Sequence, residues 1–179
     1  MNKGPMVLLI VISLAVISGC AGTVPTAEFK IPIDNMNRLC NIDEATVKLI
    51  VSDGVTMNDF SRQRLESVLL QKINEKKRSS QCNTTEKRSF VLHSKITRYE
   101  EGNAFARAML AGLGQMHIDG DFVLYLMLEE SRTLAEFSVK KTFAWGGIYG
   151  ASTRIEDVEP AFAESVANAI VAQPSDKKD

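Results

Sequence analysis

Residues 121–143 read DFVLYLMLEESRTLAEFSVKKTF, and this stretch decides the fold. Phe122, Leu124, Leu126 and Leu128 alternate with Val123, Tyr125 and Met127, so a strand over 121–129 is apolar on both faces and belongs inside a sheet covered on both sides. Ala135, Phe137, Val139 and Phe143 mark a second strand. The polar quartet Glu130-Ser131-Arg132-Thr133 between them is far too short for a crossover, so the two strands pair as an antiparallel hairpin.

Upstream, Ser89 to Tyr99 alternates, with Phe90, Leu92 and Ile96 on one side and His93, Lys95 and Thr97 on the other, which predicts a half-solvated strand with His93 pointing outward. Thr46 to Val51 is β-branched and aliphatic and stops at Asp53-Gly54, a turn pair. Between these two strands, Asn58 is a natural N-cap, and Leu65, Val68, Leu69 and Ile73 recur at helical spacing. The helix closes on Lys76-Lys77-Arg78, solvated charges that complement its dipole. Val158, Phe162, Val166, Ala169 and Ile170 form a second helical stripe, with Asp157 as N-cap and Pro160 in the first turn. The order β-α-β-β-β-α predicts an α+β two-layer sandwich, its sheet mostly antiparallel and its two helices on one face.

Composition agrees with one globular domain: 179 residues, 45% hydrophobic and 24% charged. The balance of 21 Lys plus Arg against 22 Asp plus Glu provides no basic footprint for nucleic acid or for a polybasic membrane-surface protein.

The N-terminus carries an address. Lys3 precedes an apolar run from Met6 to Ile17 broken only by Ser13. Such a run covers roughly 18 Å as a helix, short of a hydrocarbon core of about 30 Å, so it reads as a removable signal rather than a lasting span. Ile17-Ser18-Gly19-Cys20 resembles the lipobox of bacterial lipoprotein signal peptides. That resemblance implies cleavage before Cys20, a diacylglyceryl thioether on its sulfur and acylation of the new amino group. Each buried methylene contributes about 0.8 kcal/mol, so two or more chains hold firmly. In lipoproteins of this class an aspartate after the cysteine favours the inner membrane; Ala21 stands there, which implies the periplasmic face of the outer membrane.

The organisation expected is a signal peptide over 1–19, a lipidated N-terminus and tether over 20–43, a periplasmic domain over 44–172 and a mobile tail over 173–179. Removal of 1–19 takes away Lys3 and no acid, so 20 basic residues face 22 acidic ones and the mature charge is −2.

With Cys20 consumed by lipid, Cys40 and Cys82 remain in an oxidising compartment. One precedes the first predicted strand and the other follows the first helix, ends that packing brings together, so a disulfide is expected. Two inert thiols or a metal or redox site are the alternatives, the last without a C-x-x-C pair to support it.

Glu101 to Gly114 reads EGNAFARAMLAGLG, apolar, small and punctuated by glycine. A dinucleotide fingerprint would require glycine where His117 stands, and the Gly-Lys-Ser/Thr of a P-loop is missing. Two readings remain: an amphipathic helical turn packed under the sheet, or a docking surface for a partner or the membrane made by Phe105, Arg107, Met109, Leu110 and Leu113. The pattern Gly102-x4-Arg107-x4-Gly112-x-Gly114 leading into an apolar strand is similar to a family of small bacterial lipoproteins known as a domain of unknown function, over roughly residues 44–172. Glu130-Ser131-Arg132-Thr133 departs from it by lacking a Thr-Gly turn. The helix-on-sheet order further looks like the periplasmic domains of envelope-assembly and secretion lipoproteins, which act by binding proteins.

Catalysis lacks a constellation. His93 and His117 are the only histidines, and His117 with Asp119 and Asp121 reads as a polar turn entering a strand rather than a metal site. The expectation is therefore a non-enzymatic accessory module in envelope assembly, secretion or maintenance. It needs no cofactor or metal, is anchored in the bilayer through Cys20, and has an envelope protein or a second copy as partner. The alternative is a small hydrolase or ligand carrier, which an enclosed apolar cavity beside His93 or His117 would favour.

Overall fold

A computed structural model describes residues 25–82, 84–110 and 113–172. The strands are β1 (Glu28–Ile31), β2 (Glu44–Val51), β3 (Ser89–Glu100), β4 (Met116–Leu126) and β5 (Glu129–Phe143); the helices are α1 (Asp59–Arg78), α2 (Ala104–Met109), α3 (Gly147–Ser152) and α4 (Ile155–Ile170). They form a mixed α+β domain on one open sheet of order β1-β5-β4-β3-β2. Every neighbouring pair is antiparallel except β2 and β3, which α1 joins as a parallel crossover.

The core lies between the sheet and the helices α1 and α4. Register places Val47, Leu92, Leu124 and Ala135 side by side across four strands, with Leu49, Ser94, Phe122 and Phe137 in the next row. Leu65, Leu69 and Ile73 of α1 and Val158, Phe162, Val166 and Ile170 of α4 close over these rows. Phe122 stacks on Phe137 at 5.2 Å between centroids and meets Phe162 at 5.9 Å. Burial of each such ring stabilises by about 1.5–3 kcal/mol. Asn58 caps α1 by accepting from the Ser61 amide at 2.8 Å.

Where the helices cross, a buried carboxylate ties three elements. Arg64 of α1 donates through Nε and Nη2 to both oxygens of Glu159 in α4 at 2.9 and 3.0 Å, and the Tyr99 hydroxyl of β3 donates to the same carboxylate at 2.8 Å. Burial, then the bond to Glu159, pushes the Tyr99 phenol well above its usual value, so it stays a donor.

The structure corrects the sequence expectations in five places. Part of the expected tether is structured: residues 28–31 pair with β5, and Leu39 is buried by exchanging backbone bonds with the end of α4 (to Ile170 O at 2.9 Å, from Ala172 N at 2.8 Å). The hairpin turns at Met127-Leu128, not at the polar quartet. Leu126 pairs with Glu129 and Tyr125 with Thr133, which leaves residues 130–132 as a bulge in β5. The second face of the hairpin strand is only half covered, and Leu128 is 97% exposed. Asp157 is not the N-cap of α4. It sits inside the first turn, accepting from the Arg154 amide at 2.8 Å, and this start moves Pro160 into the helix beyond the first turn. Lys77 is 6% exposed rather than solvated, its ammonium directed to Asn74 at 3.2 Å and its pKa lowered by burial.

Cys40 and Cys82 form a disulfide with 5.2 Å between Cα atoms. Asp43 beside it accepts from the Cys40 amide at 2.9 Å and from Arg88 Nη2 at 2.7 Å. The loop closed spans 42 residues. Reduction should therefore lower the unfolding free energy by about 4 kcal/mol on the chain-entropy estimate, measured by urea titration with and without reductant. Arg64→Ala should cost about 3–5 kcal/mol in the same assay by stranding the Glu159 carboxylate, and Tyr99→Phe about 1 kcal/mol.

Candidate functional site

The feature that stands apart from the sandwich is one end of the sheet, where β3 and β5 finish and β4 begins. Two short helices sit there on loops: α2 between β3 and β4, and α3 after β5. They pack against each other.

The loop around α2 needs glycine at two positions. Gly102 has φ +64°, and a Cβ there would fall on the carbonyl oxygens of Gly114 and Gln115. Gly114 has φ +70°, and its Cβ would fall on the Asn103 carbonyl. The close approach lets the Asn103 amide donate to Gly114 O at 3.2 Å, while the Asn103 side chain caps α2 by accepting from the Ala106 amide at 2.9 Å.

Arg107 joins the two loops. Nε donates to Gly150 O at 2.8 Å, Nη1 to Glu101 O at 2.8 Å and Gly114 O at 2.9 Å, and Nη2 to Thr153 O at 3.2 Å. The residue is 4% exposed. Arg107 is thus a brace, not a contact residue, and its grouping with the docking residues is corrected. The physical reason is that carbonyls at loop ends lack ladder partners, and a planar fork of five donors satisfies several at once.

The apolar residues expected at the surface are there. Phe105 is 73% exposed, and Met109, Leu110 and Leu113 are each more than half exposed. Of the two readings of this segment, the turn packed under the sheet is excluded for these side chains. Sequence reading missed the second half of the surface: Trp145, Ile148 and Tyr149 from the loop and helix after β5. Trp145 lies edge-on to Tyr149 at 5.5 Å, and Ile148 is 90% exposed. The signal was present as AWGGIYGA over residues 144–151, a charge-free run holding the single tryptophan of the chain.

The other candidate residues fall elsewhere. His117, Asp119 and Asp121 lie within β4 and not in a turn, on the face away from the helices. There Asp119 is flanked across the strands by Arg98 and Lys140, and His117 by Glu100 and Thr142. His117 Nδ1 is 3.1 Å from Thr142 Oγ1, and burial, then Arg98, lowers its pKa. Burial raises that of Asp119. His93 points away from the helices as expected and is half-buried edge-on against Tyr125 at 5.1 Å. Among the described residues no group of three His, Cys, Asp or Glu could hold a metal, and no helix is long and apolar enough to cross a membrane. Concavities of about 260 Å³ beside the disulfide and about 600 Å³ between Glu101, Arg107 and Arg154 are lined by neither histidine. Cys20 and the tail 173–179 lie outside the described residues.

The family described as "Domain of unknown function (DUF4410)" matches residues 42–147, from the turn before β2 to the first residue of α3. The chain belongs to this family. The DUF4410 match includes Gly102, Arg107 and Gly114, the residues that build the braced loop. No curated protein matches in sequence. In fold, the chain is similar to the PelC dodecamer from Paraburkholderia phytofirmans, at 13% identity and TM-score 0.51, over 83% of this chain and 99% of that one. A single-substitution variant of the PelC dodecamer gives 12% identity and TM-score 0.52 with the same coverage.

Arg107→Met should remove the guanidinium donor from the buried carbonyls of Gly150 and Thr153 and from the half-buried loop carbonyls of Glu101 and Gly114, the last of which keeps the Asn103 amide, at about 1–3 kcal/mol for each left unpaired where water cannot reach. Global stability should fall, and amide exchange over 104–110 and 147–152 should rise more than in the sheet. Phe105→Ala and Leu110→Ala should shift stability by only about 0.5 kcal/mol, since little burial is lost. A loss of several kcal/mol in thermal unfolding of either would mean the domain covers these side chains itself.

Proposed function

We propose that this DUF4410 chain is an exported lipoprotein of the bacterial envelope, acylated on Cys20 at the periplasmic face of the outer membrane. It works as a non-enzymatic binding module in envelope assembly, secretion or maintenance. Ile17-Ser18-Gly19-Cys20 supports the anchor, and a Cys40–Cys82 disulfide fits an oxidising compartment.

The observation that carries the binding role is the α2–α3 end. An apolar surface that costs solvation free energy is built on a base held by Arg107 and by the close backbone approach at Gly102 and Gly114, and exposed apolar groups held in one arrangement mark a contact surface. Self-association belongs to the same reading, supported by the dodecameric state of the PelC proteins whose fold it resembles and by the open edges β1 and β2.

Cys20→Ala should abolish incorporation of labelled palmitate, block cleavage after Gly19 and shift the protein out of the outer-membrane fraction. A variant that is still processed and still sediments with outer membranes would refute the anchor. Light scattering on the purified protein should give a mass above one chain if copies associate, and a monomer at all concentrations would remove self-association.

A further inference from the structure

We infer that the α2–α3 end dips into the lipid leaflet that holds the acyl chains, so that the domain stands on the membrane in one orientation. This rests on the acylated Cys20 proposed above and names what covers the apolar surface.

Direction of the chain supplies the first argument. β1 is antiparallel to β5, with Glu28 opposite Ser138 and Ile31 opposite Glu136. Residues before Glu28 therefore leave the sheet toward the end of β5, where Phe143 leads into α3. From Ser138 to Phe143 is five residues, about 17 Å of strand. Eight residues from Glu28 back to Cys20 reach at most about 26 Å. The described chain before Glu28 thus heads toward the end that carries the apolar surface, an acylated Cys20 is within reach of that end, and tethering would keep the surface at high local concentration beside lipid.

Surface chemistry supplies the second. Over residues 104–110 and 143–152 the sole charged side chain is Arg107, and it is buried, while the exposed Glu101 and Arg154 stand at the margins of these segments, where headgroups would meet them. A protein interface carries a polar rim and some exposed arginine, whereas a leaflet excludes charge altogether. The exposed set of Phe105, Met109, Leu110, Trp145, Ile148 and Tyr149 pairs aliphatic tips with the two aromatic types that favour the headgroup boundary. The polar rows of the sheet face, such as Arg98, Asp119 and Lys140, and the ion-paired Arg64 and Glu159 lie off this surface. The opposite end provides an internal control: Leu128 is 97% exposed at the hairpin turn, far from the exit of the chain.

Trp145, the single tryptophan, makes the test direct. The full acylated protein is reconstituted on phosphatidylethanolamine/phosphatidylglycerol vesicles, with and without bromine on the lipid acyl chains. Trp145 emission should shift to the blue and lose most of its intensity to brominated lipid. The double variant Phe105→Asp/Ile148→Asp should lose that quenching while remaining vesicle-bound, and Leu128→Asp should keep it. An acylated, vesicle-bound protein whose Trp145 is open to acrylamide and untouched by bromolipid overturns lipid contact and leaves the anchor standing. Trp145 shielded from both quenchers also overturns it, and assigns the surface to a second copy. An N-terminal mass without acyl groups overturns both the anchor and this inference.

Discussion

A guanidinium among carbonyls holds the α2–α3 end of this protein in place. The loops that carry α2 and α3 leave different strands and share no ladder, so the backbone oxygens of Glu101, Gly114, Gly150 and Thr153 need donors from elsewhere, which the Asn103 amide supplies only to Gly114. Arg107 meets all four. Its flat, forked geometry fixes the distance and tilt between the loops in a way that a flexible ammonium could not. Its acceptors are backbone carbonyls rather than a carboxylate, so the bond network holds the loops but does not neutralise the charge. The apolar side chains above it therefore project from a base with little freedom to collapse inward.

Arginine forks recur at two other junctions between elements. Arg88 meets Asp43 and the carbonyls of Met36 and Arg38, which pins the N-terminal segment beside the disulfide. Arg64 meets Glu159 and Tyr99 between the two long helices. In those two places the partner is a buried carboxylate. The molecule is asymmetric as a result: ion pairs and a covalent link stitch the body together, while α2 and α3 are bound through backbone oxygens and carry no exposed charge of their own, with Glu101 and Arg154 exposed at their margins. β1 enters from that same end, so the described chain before Glu28 and the apolar surface point one way.

Much of the fold was legible because local rules and tertiary need agreed. Asn58 caps α1, the stripe of Leu65, Leu69 and Ile73 faces the sheet, and Phe122, Phe137 and Phe162 meet in the core that periodicity assigned them. The errors fell where one sequence pattern fits two structures. A polar quartet is equally a turn or a bulge, and the apolar Met127-Leu128 turn offered no turn residues to read. Glu28 to Ile31 is too short and mixed to announce a strand, and it becomes one because β5 has an edge to fill. The two histidines and the aspartates of β4 carry polar types onto a sheet face whose cross-strand neighbours, Arg98 and Lys140, come from elsewhere in the chain.

By itself, the sequence determined the order of the main elements, the pairing of the two cysteines and the unusual apolar character of residues 101–114. These follow from composition, period and local chemistry, which act between near neighbours. Only the tertiary structure decided that Arg107 is buried, that Trp145, Ile148 and Tyr149 join Phe105 and Leu110 in one surface, and that the N-terminal segment leaves toward it. Each of those depends on which strand lies beside which and on its direction, and long-range pairing of that kind is fixed by the burial of the whole core rather than by any local run of residues.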